Sequence, residues 1–279
     1  RRATHPVAAS MMWSLCALSL LAIWLVAYAF LFSEFQESHA QHSLYGEFRL
    51  QLASGVAPVA APIRNGRPVA LLDAPEAGMH DVVVVQGTSP SDLENGPGHR
   101  SDSILPGQAG TSVVFGRDVT FGGPFRHLAS LSKGDSITVT TGQGKATYVV
   151  DDVRVAGDPF PAPLAGGASR LVLESSVGGG YRSGWAPTGS IYVDADLASP
   201  FPSGQIGPTV PSQRAMATDK SALLPLFLWL LLFVIADVGF IWARACWGVA
   251  QAWLVGSPIL FALAWLVTSA AALLLPNLF

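Results

Sequence analysis

VVVVQGTSPSDLENGPGHRSDSILPGQAGTSVVFGRDVTFGGPFRHLASLSKGDSITVTTGQGKATYVV, residues Val82–Val150, is the stretch whose reading decides the fold. Short runs rich in Val, Ile, Thr and Tyr alternate here with clusters of Gly, Pro, Asp and Ser. β-branched and aromatic side chains suit a pleated surface, and the intervening residues punctuate it with turns. The runs predict strands at Asp81–Gln86, Ser112–Gly116, Ser136–Thr141 and Ala146–Val155. The segment TTGQGKA, Thr140–Ala146, reads as the hairpin between the last two, because its glycines can take positive φ in a tight turn. Working outward, Val69–Leu72 supplies a strand before the stretch, and Arg170–Glu174 and Ile191–Asp194 supply strands after it. Short strands at this spacing, with little helix between them, predict a mainly β, closed or nearly closed barrel over residues 69–197.

Outside the barrel the composition changes. Met11–Phe32, MMWSLCALSLLAIWLVAYAFLF, is almost wholly apolar. At about 1.5 Å per residue, roughly 20 residues cross a hydrocarbon core of about 30 Å, so a membrane helix is expected. The run is too long for the core of a signal peptide and no clear A-x-A site follows, which predicts an uncleaved anchor. Ala222–Trp242 and a segment within Val249–Leu275 predict two further spans, since a soluble helix is not apolar on every face for this length. Arg1 and Arg2 precede the first span and Arg244 lies between the second and third. The positive-inside rule then puts these in the cytoplasm and the barrel outside, with Arg214 and Lys220 counting weakly against it.

Ser33–Ser54 is expected to continue as a helix, with Leu44, Phe48 and Leu52 on one face. Ala198–Lys220 is rich in Pro, Ser and Gly and reads as a mobile linker. The expected organisation is therefore residues 1–32 with the first span, a lead-in over 33–68, the barrel over 69–197, a linker over 198–220, and two spans over 221–279.

The net charge of -3 gives no reason to expect nucleic acid as a partner. Lys133, Lys145 and Lys220 are the only lysines, a bias toward arginine that suggests a GC-rich, actinobacterial genome. Asp151 with Asp152, and Asp194 with Asp196, fit no cation-loop spacing and read as solvated strand residues, so no metal or cofactor is expected. The two cysteines, Cys16 and Cys246, fall in or beside apolar segments. The barrel therefore has neither a disulfide framework nor a thiol. Asp237 stands inside the second span, where a carboxylate costs about 2.5–3.5 kcal/mol at a helix centre. It is expected to reach the interface, or to meet Arg244 or another membrane protein. Gly248, Gly256, Ser257 and Ser269–Ala272 would allow close helix packing.

Several pieces of the barrel, in order, resemble the sortase family, most nearly class E: VVQGT at Val84–Thr88, LENGPGH at Leu93–His99, PGQAG at Pro106–Gly110, GGPFRHLASLSKGDSITV at Gly122–Val139, and LVLESS at Leu171–Ser176. The resemblance implies a sortase-like barrel and, in its usual form, a cysteine transpeptidase that cleaves a sorting signal and joins it to an amine. That chemistry needs a thiolate nucleophile, a histidine to move protons and an arginine to donate to the oxyanion. By the same resemblance the histidine position is Arg117, in Gly116-Arg117-Asp118, the cysteine position is Ser176, and the arginine position is Ser190. Arg182, in the glycine-rich insertion before Ser190, is a possible substitute for the arginine. An arginine stays protonated and cannot act as a base.

These departures predict a pseudoenzyme: a non-catalytic accessory or scaffold subunit held in the cell membrane, binding another membrane or envelope protein. A residual groove near Arg117, Ser176, Arg182 and His99 would take an extended peptide, with Arg117 favouring a carboxylate. Two alternatives stand beside this: a serine-dependent transpeptidase or peptidase using Ser176, and a structural spacer of the envelope.

Overall fold

A computed structural model describes residues 6–28, 32–177, 189–215 and 217–278. The chain forms two compact units, one of Arg1–Leu31 with Asp219–Leu274 and one of Phe32–Thr218 with Leu275–Phe279.

The first unit is helical: α1 (Pro6–Ala27), α3 (Leu223–Trp247) and α4 (Val249–Ala272), numbered with α2 of the other unit between them. Leu21, Phe233 and Val267 are buried where the three helices meet, with Trp24, Trp229 and Leu260 packed around them. Edge-to-face rings, Trp24 on Phe261 and Tyr28 on Trp265, tie α1 to α4. A β-carbon at Gly256 would collide with the Phe240 ring, so this glycine lets α3 and α4 approach closely. At the opposite end of the hairpin the Asp219 amide donates to the Leu273 carbonyl (3.2 Å), bringing its two ends together.

Two helical stretches are long and apolar enough to cross a membrane, Lys220–Trp247 and Val249–Ala272. The expected first span does not join them. Among the described residues the apolar stretch there, Leu18–Ala27, is shorter than a span, and the expected run Met11–Phe32 includes residues 29–31, which lie outside the described residues. Asp237 is one of the two buried residues of α3, with Phe233.

In the second unit, α2 (Ser33–Ala53) precedes eight strands: β1 (Pro68–Ala74), β2 (Met79–Gln86), β3 (Gly98–His99), β4 (Gly110–Phe115), β5 (Ser136–Thr141), β6 (Gly144–Val155), β7 (Ser169–Val177) and β8 (Gly189–Leu197). They close in the order β1-β2-β3-β4-β7-β8-β6-β5. The β2–β3 and β4–β7 pairs are parallel and the others antiparallel. Every expected strand forms. Only β3 was not anticipated, since two residues carry no periodic pattern.

Inward residues of alternating strands, among them Val84, Val114, Ile137, Tyr148, Leu171, Leu173 and Val193, make the core. The expected face of α2 packs as read: Phe48 is buried against Leu71 and Val83, with Leu44 and Leu52 beside it.

Residues 198–218 are not a loose linker. The Phe201 and Ala109 amides exchange bonds with the Gly107 and Phe201 carbonyls, Ser203 donates to the Ala109 carbonyl, and the Gly207 amide donates to Ser101. Their Pro and Gly content disfavours α-helix and extended strand, leaving a 3-10 turn at Pro211–Gln213, but the barrel supplies the partners that their backbone needs.

Candidate functional site

The three positions singled out by sequence lie at one end of the β4–β7–β8 sheet. Strand β4 ends at Phe115, and Gly116 carries the chain across the end of β7. The Gly116 amide donates to the Glu174 carbonyl (3.0 Å) and Ser175 Oγ donates to the Gly116 carbonyl (2.9 Å). A β-carbon at Gly116 would fall inside the Phe125 ring, so this close crossing needs glycine. In the β7–β8 ladder Ser176 is opposite Ser190. Both serines are nearly buried. Alternation along β7 puts Leu171, Leu173 and Ser175 inside, and Val172, Glu174 and Ser176 on the outer face.

Arg117 does not line a groove. It is fully buried. Its guanidinium donates to Thr120 Oγ1 (3.1 Å) and to the Pro90 carbonyl (3.3 Å), and it lies 4.8 Å from the centre of the Phe121 ring. Phe121 adopts a left-handed φ of 50°, an uncommon conformation held by its amide bond to Ser33 Oγ on α2 (3.0 Å). Burial lowers the Arg117 pKa to about 10, against the pull of the Glu94 charge, so it remains a cation at neutral pH. Burial pushes Glu94 up to about 7, opposed by Arg117 and by a hydrogen bond from Gln36. The arginine's hydrogen-bond partners are thus internal, and the carboxylate ligand expected from sequence has no exposed guanidinium to meet.

His99 is also enclosed. Its Nδ1 meets Gln86 Oε1 (3.0 Å) and its Nε2 meets the Ile104 carbonyl (2.7 Å) and Ser103 Oγ (3.1 Å). Burial pulls its pKa down to about 4, so it is neutral and fixes the loop after β3 rather than serving a groove. His42, His80 and His127 line a different cavity of about 550 Å³ between α2 and the barrel, with Glu37 and Arg126. Arg182 lies outside the described residues.

One residue at this site was missed. Glu174 is buried on the outer face of β7 and hydrogen-bonds with Tyr192 and Ser190 of β8, and its pKa is raised by burial. Tyr192 in turn lies beneath the Arg154 guanidinium, 4.2 Å from the ring centre, and Arg154 pairs with Asp194 (2.6 Å). The signal was present in LVLESS: a period of two puts Glu174 on the same face as Ser176.

This face is covered. Leu278 is fully buried in a cluster with Leu93, Val113, Phe115 and Val172, and Tyr192 and Ala215 pack against it. The Leu278 carbonyl accepts from the Asp118 amide (3.2 Å), one residue past Arg117. A cavity of about 420 Å³ remains beside it, lined by Arg100, Asp102, Glu174, Tyr192, Thr209 and Arg214 among others. Among the described residues no group of His, Cys, Asp and Glu is arranged to hold a metal ion.

Residues 72–161 match the family model described as the sortase domain. Over 91 residues the chain is 31% identical to sortase D of Bacillus subtilis (strain 168), an overlap covering 33% of this chain and 44% of that protein, less than half its length. Similar solved structures include the Clostridium perfringens sortase D5 transpeptidase, at 21% identity and a TM-score of 0.47, covering 58% of this chain and 99% of that one. Sortase E from Streptomyces avermitilis is similar at 27% identity and a TM-score of 0.40, covering 50% of this chain and 93% of that one.

Proposed function

We propose that the chain, whose residues 72–161 match the sortase-domain model, is a non-catalytic sortase relative, an accessory or scaffold subunit that binds a membrane or cell-envelope protein outside the cytoplasm. The observation that carries this reading is the absence of any cysteine between residues 17 and 245. Without a thiolate, the acyl transfer of a cysteine transpeptidase has no nucleophile. Two further features support it. Ser176 takes the cysteine position, and the cation at the histidine position cannot accept a proton.

The membrane part of the proposal rests on α3 and α4. Asp219 and Leu273 bring the two ends of their hairpin together, and the chain continues into the barrel unit from both. Such a hairpin enters and leaves on one side of the membrane and turns, after Arg244, on the other. The positive-inside rule then puts the barrel outside.

The experiment is purification of the tagged full-length chain from its native membrane in mild detergent, with mass spectrometry of what co-purifies. A stoichiometric membrane or envelope partner is the expected result. A clean monomer that binds no envelope component would overturn the accessory role.

A further inference from the structure

The outer face of β4, β7 and β8 carries Val113, Phe115 and Val172, large apolar side chains pointing away from the barrel core. On a barrel wall these would normally face water. Here two separate pieces of chain cover them. One is the segment 209–215, with a 3-10 turn at Pro211–Gln213, which contributes Ala215; the other is Asn277–Leu278, with Leu278 fully buried over the face.

The two pieces are tied to each other. Asn277 Nδ2 donates to the Ser212 (3.0 Å) and Arg214 (2.7 Å) carbonyls, and the Asn277 amide donates to the Ala217 carbonyl (3.2 Å). They are tied to the barrel at few points. Gln213 accepts from the Ser101 amide (3.2 Å) and from Thr88 Oγ1 (2.8 Å), Thr209 donates to Asp102 (3.1 Å), and Leu278 accepts from Asp118. None of these bonds belongs to the barrel's own strand ladders, so the covering can leave without unpairing a strand.

We infer that residues 209–215 and Ala217, with residues 277–278, form an internal strap, an autoinhibitory contact that occupies this face as an extended peptide would and must be released before any other peptide reaches it. The strap's chemistry defines the competitor: an extended chain with one large apolar side chain for the pocket of Val113, Phe115 and Val172, a carbonyl for the Asp118 amide, and a carboxamide just before it. The inference does not depend on whether the barrel is catalytic or has a separate protein partner.

The test places a reporter thiol under the strap. In the full-length chain with Cys16→Ala and Cys246→Ala, Val113→Cys is compared with Val149→Cys, on exposed β6, for maleimide labelling in detergent. With the strap in place, Val113→Cys reacts about 100-fold more slowly, since labelling tracks the open population. Adding Asn277→Ala and Leu278→Ala raises its rate about tenfold or more while Val149→Cys is unchanged. A synthetic peptide of residues 275–279, LPNLF, then restores the protection. Equal rates for the two thiols in the otherwise intact chain overturn the strap, and need no destabilising change. Faster labelling of both thiols in the strap variant marks loss of the barrel fold and overturns the strap's separability. Release without rescue by the peptide overturns the face as a peptide seat. Co-purification of a partner bears on none of these readouts, so the two proposals fail independently.

Discussion

Ser175 Oγ donates to the Gly116 carbonyl at 2.9 Å, locking the end of β7 to the end of β4. This bond sets the two neighbouring residues on divergent courses. Ser176 stays on the outer face in register with Ser190, whereas Arg117 turns inward among Thr120, Phe121 and Pro90. Two positions that would have to converge for acyl transfer therefore serve different layers of the structure. Ser176→Ala should accordingly leave partner retention unchanged in the co-purification experiment. A loss of the partner with the fold intact would show that the hydroxyl itself takes part.

Arg117 and Glu94 are a buried cation and a largely buried carboxyl with opposed effects on each other. Removing either leaves the other desolvated without its counter-charge. Arg117→Met and Glu94→Gln should each lower the unfolding temperature of the full-length chain. The double variant should be less destabilised than the sum of the two by about 0.5–3 kcal/mol, measured as a double-mutant cycle. Strict additivity would mean the pair does not interact.

Glu37 on α2 is pushed up to about 7 by burial, and further by the Glu34 charge. Between the ordinary value of 4.5 and about 7, the unfolded chain has lost a proton that the folded chain keeps, so this group costs stability as pH rises. Glu37→Gln should therefore gain unfolding temperature relative to the parent at pH 8 and gain little at pH 4.5. A constant difference across that range would contradict it.

His99 runs the other way. Its pKa falls from 6.5 to about 4 on folding, so the unfolded chain takes up a proton that the folded chain refuses, and stability is lost as pH drops through this window. His99→Gln should flatten that acid limb in thermal unfolding followed from pH 7 to pH 4. An unchanged limb would place the acid sensitivity elsewhere.

Gly116→Ala should destabilise the barrel by about 1–3 kcal/mol, because the added methyl must push against Phe125 on the core side. A variant as stable as the parent in denaturant titration would show that the crossing is looser than its geometry.

The strands were legible because each is a run of β-branched residues bounded by Gly, Pro or Asp, and α2 was legible because Leu44, Phe48 and Leu52 recur on one face. The segment 198–218 was misread for an instructive reason. Pro and Gly content reports the lack of a repeating conformation, and says nothing about whether a neighbouring surface satisfies the backbone, as Gly107 and Ala109 do for Phe201. The burial of Arg117 was hidden for a different reason: the carboxyl that opposes its charge, Glu94, and the α2 residue that fixes its ring partner, Ser33, are far away in sequence. Glu174 was readable by strand alternation but was passed over beside the more conspicuous serines.

The most direct measurement is a transpeptidation assay of the full-length chain in detergent, using a fluorogenic sorting-signal peptide and an amine acceptor, with Ser176→Ala and a thiol-alkylated sample alongside. The predicted result is turnover indistinguishable from the detergent blank in all three samples. Turnover by the parent chain that survives alkylation and disappears in Ser176→Ala would contradict the non-catalytic reading and make Ser176 a nucleophile.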